Sequence, residues 1–392
     1  MSRYLFVVPP LVGHINPLIG VAAELAARGH RVAWAGHPEI LTQLVGADVE
    51  LYACDTPGDV RRPPELRGVA ALQFLWEEFF APLAEAMAPG VERAVAEFRP
   101  DVVVADQQAL AGALVAERLG VPHVTSASTS AEFSGALDAM PKVADWITAL
   151  LADLRAAIGD PVGHAHDPRF SPYGVLAFST PELTGPVPYD GIHWVGPVIA
   201  ERPVPDFPWE WLDPDRSLVL ISLGTANTDT GARFLAEAAA AVHQRGRHVQ
   251  AVIADPGGVL DTGSDGTVLV AHRIPQLALL ERASAVVCHG GHNTVAESLW
   301  HGVPLVVAPI RDDQPVIAAQ VTEAGAGVRV RFGRAGRTQL GAALDAVLNQ
   351  PEHRAAALRV QAAFRAAGGA AAAADRIEAH TPAAVHLAQL PT

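Results

Sequence analysis

A histidine and an aspartate in the first half of the chain have the residue types that proton transfer needs. His14 lies in the proline- and glycine-containing segment 9–17, and Asp106 ends the apolar segment 101–105. Histidine is the side chain best suited to proton transfer at neutral pH, and a nearby carboxylate would orient its ring. Two interpretations are open for each residue. His14 is either a general base or a residue without a catalytic role, which caps the next helix or is solvated. Asp106 either orients His14 or caps the helix that follows Asp106.

A glycine pair in the second half has the pattern of a phosphate-binding turn. The buried apolar run 285–288 leads through Gly290 and Gly291 into a helical pattern that begins near Val295. Two glycines at this position let backbone amides approach a ligand closely. The first turn of the helix has unpaired N–H groups and a partial positive charge. We therefore expect an anion to bind here, at the carboxyl end of a parallel strand.

Polar side chains surround this turn. Asn293 or Thr294 could cap the helix. Glu297 follows Thr294 at the spacing of a capping box, but it could instead accept hydrogen bonds from a ribose diol. His289 and His292 are three residues apart, yet no second ligand pair at zinc-type spacing accompanies them, so we expect no metal. We expect His289 to donate to a phosphate oxygen.

The elements that must position these residues alternate between strand and helix. Strand 4–8, a helix from Pro17 to Arg28 and strand 31–35 form a strand–helix–strand unit, which places His14 in a loop at the carboxyl end of the first strand. A second series with the same architecture starts at strand 217–222. The pattern predicts an α/β fold with two doubly wound, Rossmann-like domains.

Length and composition predict two domains. At 392 residues the chain is too long for one core of ordinary size, and prolines are dense between 196 and 214. We expect a first domain over 1–200, a proline-rich linker over 201–215, a second domain over 216–375 and a tail over 376–392.

The net charge and the cysteine count exclude several classes of partner. A net charge of −14 argues against nucleic acid or an anionic membrane as a general partner. Two cysteines, Cys54 and Cys288, are too few for a disulfide framework and are typical of a reducing cytoplasm. No apolar run reaches membrane-spanning length. We expect a cytoplasmic protein without stable membrane insertion.

Segment 273–314 resembles the signature of the family 1 glycosyltransferases, which transfer a sugar from a nucleoside diphosphate to small acceptors. Pro275-Gln276, the segment from His289 to Glu297, and Asp313-Gln314 occur in the order and near the spacing of that family. The resemblance implies the GT-B architecture, with two facing Rossmann-like domains and an interdomain cleft. It also implies that the last helix crosses back onto the first domain.

The resemblance assigns roles to individual residues. It makes His14 the general base and Asp106 the carboxylate that orients it. Many relatives have tryptophan where this chain has Arg273, whose guanidinium plane can also lie flat on a base. The nucleotide-sugar site implied by the resemblance comprises Thr225, Arg273, Ile274, Gln276, His289, Gly291, Asn293, Thr294, Glu297, Asp313 and Gln314.

Two aromatic-rich helical segments could contact the acceptor. Phe74 and Phe79 lie in one, and Met140 and Trp146 lie in the other. Such residues are more often plain core, and the alternative is that they form the walls of an apolar pocket. The segments carry no motif that identifies the acceptor.

The resemblance implies an inverting, metal-independent transferase of the bacterial branch that glycosylates macrolides and other natural products. Its co-substrates would be a TDP- or UDP-sugar and a small-molecule aglycone, with no further cofactor, and a homodimer is possible. A carotenoid or sterol glucosyltransferase is the nearest alternative. A sugar-nucleotide epimerase on the same fold is an alternative from another class, and a catalytically silent binding protein is a third.

Overall fold

The computed structural model describes residues 1–58, 60, 62–63, 66, 68–138, 140–162, 166–200, 202, 204–224 and 231–381. The chain folds into two compact units. The first contains residues 1–178, 187–200 and 367–392, and the second contains residues 179–186 and 201–366.

The first unit is built on a parallel sheet of seven strands in the order β3-β2-β1-β4-β5-β6-β7. The strands are β1 (Arg3–Val7), β2 (Arg31–Gly36), β3 (Glu50–Ala53), β4 (Val102–Asp106), β5 (His123–Ala127), β6 (Val175–Ala177) and β7 (Ile192–Trp194). Its helices are α1 (Val12–Ala27), α2 (Pro38–Val45), α3 (Gly68–Phe74), α4 (Ala81–Phe98), α5 (Leu110–Arg118) and α6 (Pro141–Ile158). A π-helical turn, Leu75–Phe80, joins α3 to α4.

The second unit also has a seven-stranded sheet, in the order β10-β11-β9-β8-β12-β13-β14, parallel except for the β10–β11 pair. The strands are β8 (Ser217–Ser222), β9 (Val249–Ala254), β10 (Gly263–Ser264), β11 (Val268–Ala271), β12 (Ala283–Cys288), β13 (Leu305–Val307) and β14 (Gly327–Arg329). The helices are α7 (Pro181–Thr184), α8 (Ala232–His243), α9 (Gln276–Leu280), α10 (His292–Trp300), α11 (Gln314–Glu323), α12 (Arg337–Asn349) and α13 (Pro351–Ala366). A last helix, α14 (Gly369–Glu378), belongs to the first unit.

Both faces of each sheet are buried, which explains the continuous apolar runs in the sequence. In β1, Tyr4 and Phe6 join one core, and Leu5 and Val7 join another on the opposite face. Side chains alternate between the faces of a strand, so a strand covered by helices on both sides must be apolar at every position. The fold class expected from the sequence, two Rossmann-like α/β domains, is confirmed.

The proline-rich segment belongs to the second unit, which differs from the expected separate linker over 201–215. Phe207, Trp209 and Trp211 pack against the core of the second unit. The guanidinium carbon of Arg282 lies 4.6 Å from the centre of the Trp209 ring. The aromatic side chains between the prolines supply enough apolar surface to hold the segment on that core.

Helix α14 packs on α1 in the first unit. Residues up to 375 were expected in the second domain, and the resemblance implied that the last helix crosses back onto the first. Ile377 is fully buried in the core around Tyr4 and Phe6. Arg28 donates to Asp375 at 2.6 Å and to Glu378 at 2.7 Å. The apolar face of α14 therefore completes a core whose strands lie at the other end of the sequence.

None of the helices in the described ranges combines the length and the apolarity needed to span a lipid bilayer.

We predict that Ile377→Ala destabilises the first unit by about 2–5 kcal/mol, because it removes buried methyl groups and leaves a cavity. Leu358→Ala is the control, since Leu358 is 43% exposed and its truncation should cost little. Urea unfolding followed by circular dichroism measures both. Equal stability of the two variants would show that α14 does not contribute to the core.

Candidate active site

Three side chains of the first unit form one hydrogen-bonded group. His14 Nδ1 lies 2.9 Å from Asp106 Oδ1 and 2.5 Å from the hydroxyl of Ser128. That hydroxyl donates to Asp106 Oδ2 at 2.8 Å, and the amide of Gln108 donates to Asp106 Oδ1 at 2.9 Å. Asp106 is 1% exposed. The buried carboxylate is thus surrounded by donors on both oxygens, as a buried charge requires.

The hydrogen-bond partners indicate which nitrogen of a neutral His14 ring carries the proton. A carboxylate only accepts, and the Ser128 hydroxyl uses its proton on Asp106, so both groups next to His14 Nδ1 present acceptors. We therefore assign the proton of the neutral ring to Nδ1. Nε2 is then left with a lone pair, which is the form a general base needs.

The topology of the sheet brings the group together. Strand β4 lies between β1 and β5, so the carboxyl ends of all three strands are adjacent. Asp106 ends β4, Ser128 follows β5, and His14 lies in the helix that follows β1. Residues far apart in sequence meet because parallel strands end at the same edge.

The expectation of a loop around His14 is wrong, because α1 begins at Val12, before Pro17. The amides of His14 and Ile15 already donate to the carbonyl of Leu11. A proline near the start of a helix removes only one backbone hydrogen bond, so Pro17 is tolerated inside it. His14 is therefore held by the first helical turn rather than by a flexible loop.

In the second unit the glycine turn joins β12 directly to α10. Gly290 has φ of +86°, which favours glycine, and Gly291 is the N-cap residue of α10 with an extended backbone. The expected cap by Asn293 or Thr294 is wrong, since the helix begins at His292 and has no side-chain cap. The N-cap residue itself has no side chain with which to cap the helix.

The ring of His289 fills the space that the neighbouring glycines leave open. A Cβ atom on Gly224 would lie 2.8 Å from His289 Cε1, and one on Gly291 would lie within 2.4 Å of Nε2. Neither glycine could therefore carry a side chain with the ring in this place. His289 Nδ1 is buried and has no hydrogen-bond partner among the described residues. Burial lowers the pKa of His289 to about 4, so the ring is neutral at pH 7.

Glu297 does not form the capping box that its spacing with Thr294 allowed. Its carboxylate is 3% exposed and accepts from Gln276 Nε2 at 2.6 Å and from the guanidinium of Arg202. The turn of α10 points this side chain toward α9, where Gln276 begins the helix. The structure thus brings together two residues of the expected nucleotide-sugar site and adds Arg202.

The loop after β13 is shaped by Gln314. The Oε1 atom of this buried side chain accepts from the amides of Ile310 at 2.8 Å and Arg311 at 3.0 Å. Asp312 has φ of +57°, an uncommon conformation outside glycine, and Asp313 is the N-cap residue of α11. The side chain of Gln314 therefore holds the loop closed at the edge of the sheet where the glycine turn lies.

Arg273 and Ile274, two further residues of the expected nucleotide-sugar site, differ in solvent exposure. Arg273 is exposed, and Ile274 is half-buried against the core of the second unit. Thr225 lies outside the described residues, so its expected contact with the diphosphate stays a prediction.

Two of the four expected acceptor residues pack against the same cluster. Phe79 and Trp146 pack against a cluster that includes Trp76 and Phe80. Phe74 is half-buried at the end of α3, and Met140 is 37% exposed at the start of α6.

Sequence reasoning missed Ser128 and Arg202. Ser128 had a detectable signal, because it follows β5 in a polar run at the same edge as Asp106. Arg202 lies in the proline-rich segment and is separated from Glu297 by 95 residues, so no local pattern connects the two.

Two doubly wound sheets with polar groups at the carboxyl ends of their strands are typical of α/β proteins that bind nucleotides. The profile of the family described as "UDP-glucoronosyl and UDP-glucosyl transferase" matches residues 184–365. The chain is 30% identical to demethyllactenocin mycarosyltransferase of Streptomyces fradiae, over 96% of this chain and 86% of that protein. The chain belongs to this family.

Two further similarities agree with the assignment. The chain is 28% identical to 4'-demethylrebeccamycin synthase of Lentzea aerocolonigenes, over 96% of this chain and 99% of the relative. The crystal structure of the glycotransferase of kitacinnamycin superposes with a TM-score of 0.78 at 26% identity, covering 97% of this chain and 99% of that one. The predicted membership in the natural-product branch is confirmed.

We predict that Ser128→Ala lowers kcat about tenfold without changing the affinity for a nucleoside diphosphate. The change removes one hydrogen bond to the Asp106 carboxylate, worth about 1.5 kcal/mol. Ser128→Thr keeps the hydroxyl and should retain more activity. Steady-state kinetics and calorimetry measure the two effects, and a loss confined to KM would contradict a positioning role.

We predict that stability falls by about 2 kcal/mol between pH 7 and pH 5 through His289 alone. Its pKa rises from about 4 to 6.5 on unfolding, so the unfolded chain binds more protons in this window. The folded state has its full stability, as far as His289 is concerned, above pH 6.5. It loses that stability as the pH falls from 6.5 toward the folded pKa of about 4. Urea unfolding of wild type and His289→Asn across this range measures it, and parallel pH profiles would contradict the prediction.

Proposed function

We propose that the protein transfers a sugar from a TDP- or UDP-sugar to a hydroxyl of a small natural-product aglycone, with inversion at the anomeric carbon. The observation that carries the proposal is the group of His14, Asp106 and Ser128 in the first unit. A neutral imidazole with its Nδ1 proton held by acceptors leaves Nε2 to take a proton. The side chain of His14 is 15% exposed, so a substrate hydroxyl can approach the ring.

In the proposed reaction His14 Nε2 removes the proton of the acceptor hydroxyl. The hydroxyl oxygen forms a bond to the anomeric carbon as the bond between that carbon and the diphosphate oxygen breaks. Attack on the face opposite the leaving group inverts the configuration. Asp106 acts as a positioning residue, because it holds the ring and stabilises the imidazolium that forms.

The second unit would bind the donor. The diphosphate gains negative charge as it leaves, and the start of α10 offers backbone N–H groups and a partial positive charge. His289 is neutral at pH 7, and its ring lies beside the glycine turn. It would act as a hydrogen-bond donor to a phosphate oxygen rather than as a cation.

The carboxylate of Glu297 is suited to the ribose of the donor. It is buried and fixed by Gln276 and Arg202, so it is oriented before a ligand arrives. A preorganised acceptor loses little entropy when it binds a diol. Asp313 and Gln314, at the loop after β13, would contact the hydroxyls of the sugar.

The choice of a natural-product aglycone rests on the relatives. The names of the Streptomyces fradiae and Lentzea aerocolonigenes proteins refer to demethyllactenocin and to 4'-demethylrebeccamycin. The mycarosyltransferase is named for sugar transfer, which favours transfer over epimerisation of a sugar nucleotide.

Incubation of an aglycone panel with UDP- and TDP-sugars, followed by mass spectrometry, tests the activity. We predict that His14→Ala lowers kcat by about 10²–10⁴, the usual contribution of a positioned base, while the affinity for UDP or TDP is unchanged. His289→Ala should instead weaken nucleoside diphosphate binding about 10- to 100-fold, since it removes a hydrogen bond to a charged group.

His243→Ala is the matched control, because His243 pairs with Asp265 on the surface of the second unit. It should leave both kcat and nucleotide affinity unchanged. If His14→Ala lost nucleotide affinity, or if its kcat were unchanged, His14 would not be the general base. Conversion of a sugar nucleotide without any acceptor would favour the epimerase.

A further inference from the structure

A second group of polar side chains converges at the opposite edge of the first sheet. Glu117 lies near the end of α5, His123 begins β5, and His166 lies in the segment after α6. Ser128 follows the other end of β5, so this strand separates the group from the site around Asp106 by about 15 Å. None of the three residues has a role in the proposed reaction.

The three side chains present ligand atoms to one point. Glu117 Oε1, His123 Nε2 and His166 Nε2 all lie within 4.8 Å of one another. Glu117 Oε1 is 2.8 Å from His166 Nε2 and 3.8 Å from His123 Nε2. Donor atoms about 2.0–2.2 Å from a tetrahedral zinc ion lie roughly 3.3–3.6 Å apart, which falls between these two distances.

All three atoms are buried, and none has a hydrogen-bond partner among the described residues. Glu117 Oε1 and His166 Nε2 form an ion pair at 2.8 Å when the imidazole is protonated, and a bound metal ion would take the place of that proton. The side chain of His123 is only 1% exposed, so water does not reach its Nε2 from bulk solvent. Buried polar atoms without a partner are costly, and three of them that face one another indicate a missing common partner.

Arg155 fixes the surroundings of the group. It donates to Glu117 Oε2 at 2.7 Å and to the backbone carbonyl of His166 at 2.6 Å. The first contact turns Oε1 toward the two histidines, and the second holds the segment that carries His166. Such outer contacts orient the ligands of a metal site. The charge of Arg155 opposes a cation, so we expect micromolar rather than tighter affinity.

We propose that Glu117, His123 and His166 bind one zinc ion that ties α5, the start of β5 and the segment after α6 together. Two imidazole nitrogens and one carboxylate oxygen form a ligand set that zinc uses, with a water at the fourth position. Calcium and magnesium prefer sites made of oxygen ligands. The role is structural, because the site lies at the edge of the sheet away from His14.

Zinc titration of EDTA-treated protein, purified without a histidine tag, tests the proposal by calorimetry. The wild type should bind one zinc ion per chain at this site. At a zinc concentration of 100 times the dissociation constant, the melting temperature of the first unit should rise by about 5–10 °C. Cobalt should give the visible absorption bands of a low-coordinate nitrogen and oxygen site.

His166→Ala should weaken zinc binding at least tenfold and abolish both the thermal shift and the cobalt bands. His166 is partly exposed, so its truncation should leave the unit folded. Glu117→Gln, which keeps size and shape, provides a second variant with the same expectation.

His353→Ala is the control. His353 lies in the second unit and forms a hydrogen bond with the backbone carbonyl of Gly325, so the variant should bind zinc as the wild type does. The proposal would be overturned if the wild type did not bind zinc. It would also be overturned if the wild type and His166→Ala bound zinc with equal affinity. Binding lost equally in His353→Ala would also overturn it, because the ion would then be held elsewhere.

Discussion

The burial of one carboxylate organises the first unit. Asp106 is almost inaccessible, and a buried charge is tolerated only when donors surround it. His14, Ser128 and the amide of Gln108 supply those donors. The same contacts that satisfy the charge also orient the imidazole, so the stability of the site and its proposed chemistry have one physical origin. The adjacency of β1, β4 and β5 makes the arrangement possible, because it places three strand ends at one edge.

In the second unit, the proposed role of the glycine turn is to bring backbone amides close to an anion. Gly290 permits a left-handed turn, and Gly224 and Gly291 leave space for the ring of His289. A single Cβ atom at either of the last two positions would collide with that ring. These two glycines therefore make room for the His289 side chain, in addition to any role in the proposed ligand site. Desolvation keeps the ring neutral, so it would recognise phosphate by hydrogen bonding and not by charge.

The two units also show how apolar surface decides which domain a segment joins. The proline-rich segment packs on the second unit through Phe207, Trp209 and Trp211. Helix α14 packs on the first through Ile377, although it follows the second unit in sequence. For α14, apolar contacts outweigh proximity along the chain. Boundaries drawn from composition alone could not anticipate this.

Apolar periodicity and glycine positions are local signals, so the α/β class, the two sheets and the glycine turn could be predicted from the sequence. It also selected His14 and Asp106 as candidates, and their 2.9 Å contact is a geometry that only the folded sheet supplies. The tertiary structure alone decided the start of α1, the partners of Glu297 and the place of Ser128. It also decided the convergence of Glu117, His123 and His166. Each of these depends on residues distant in the chain, and local patterns carry no information about which strand ends become neighbours.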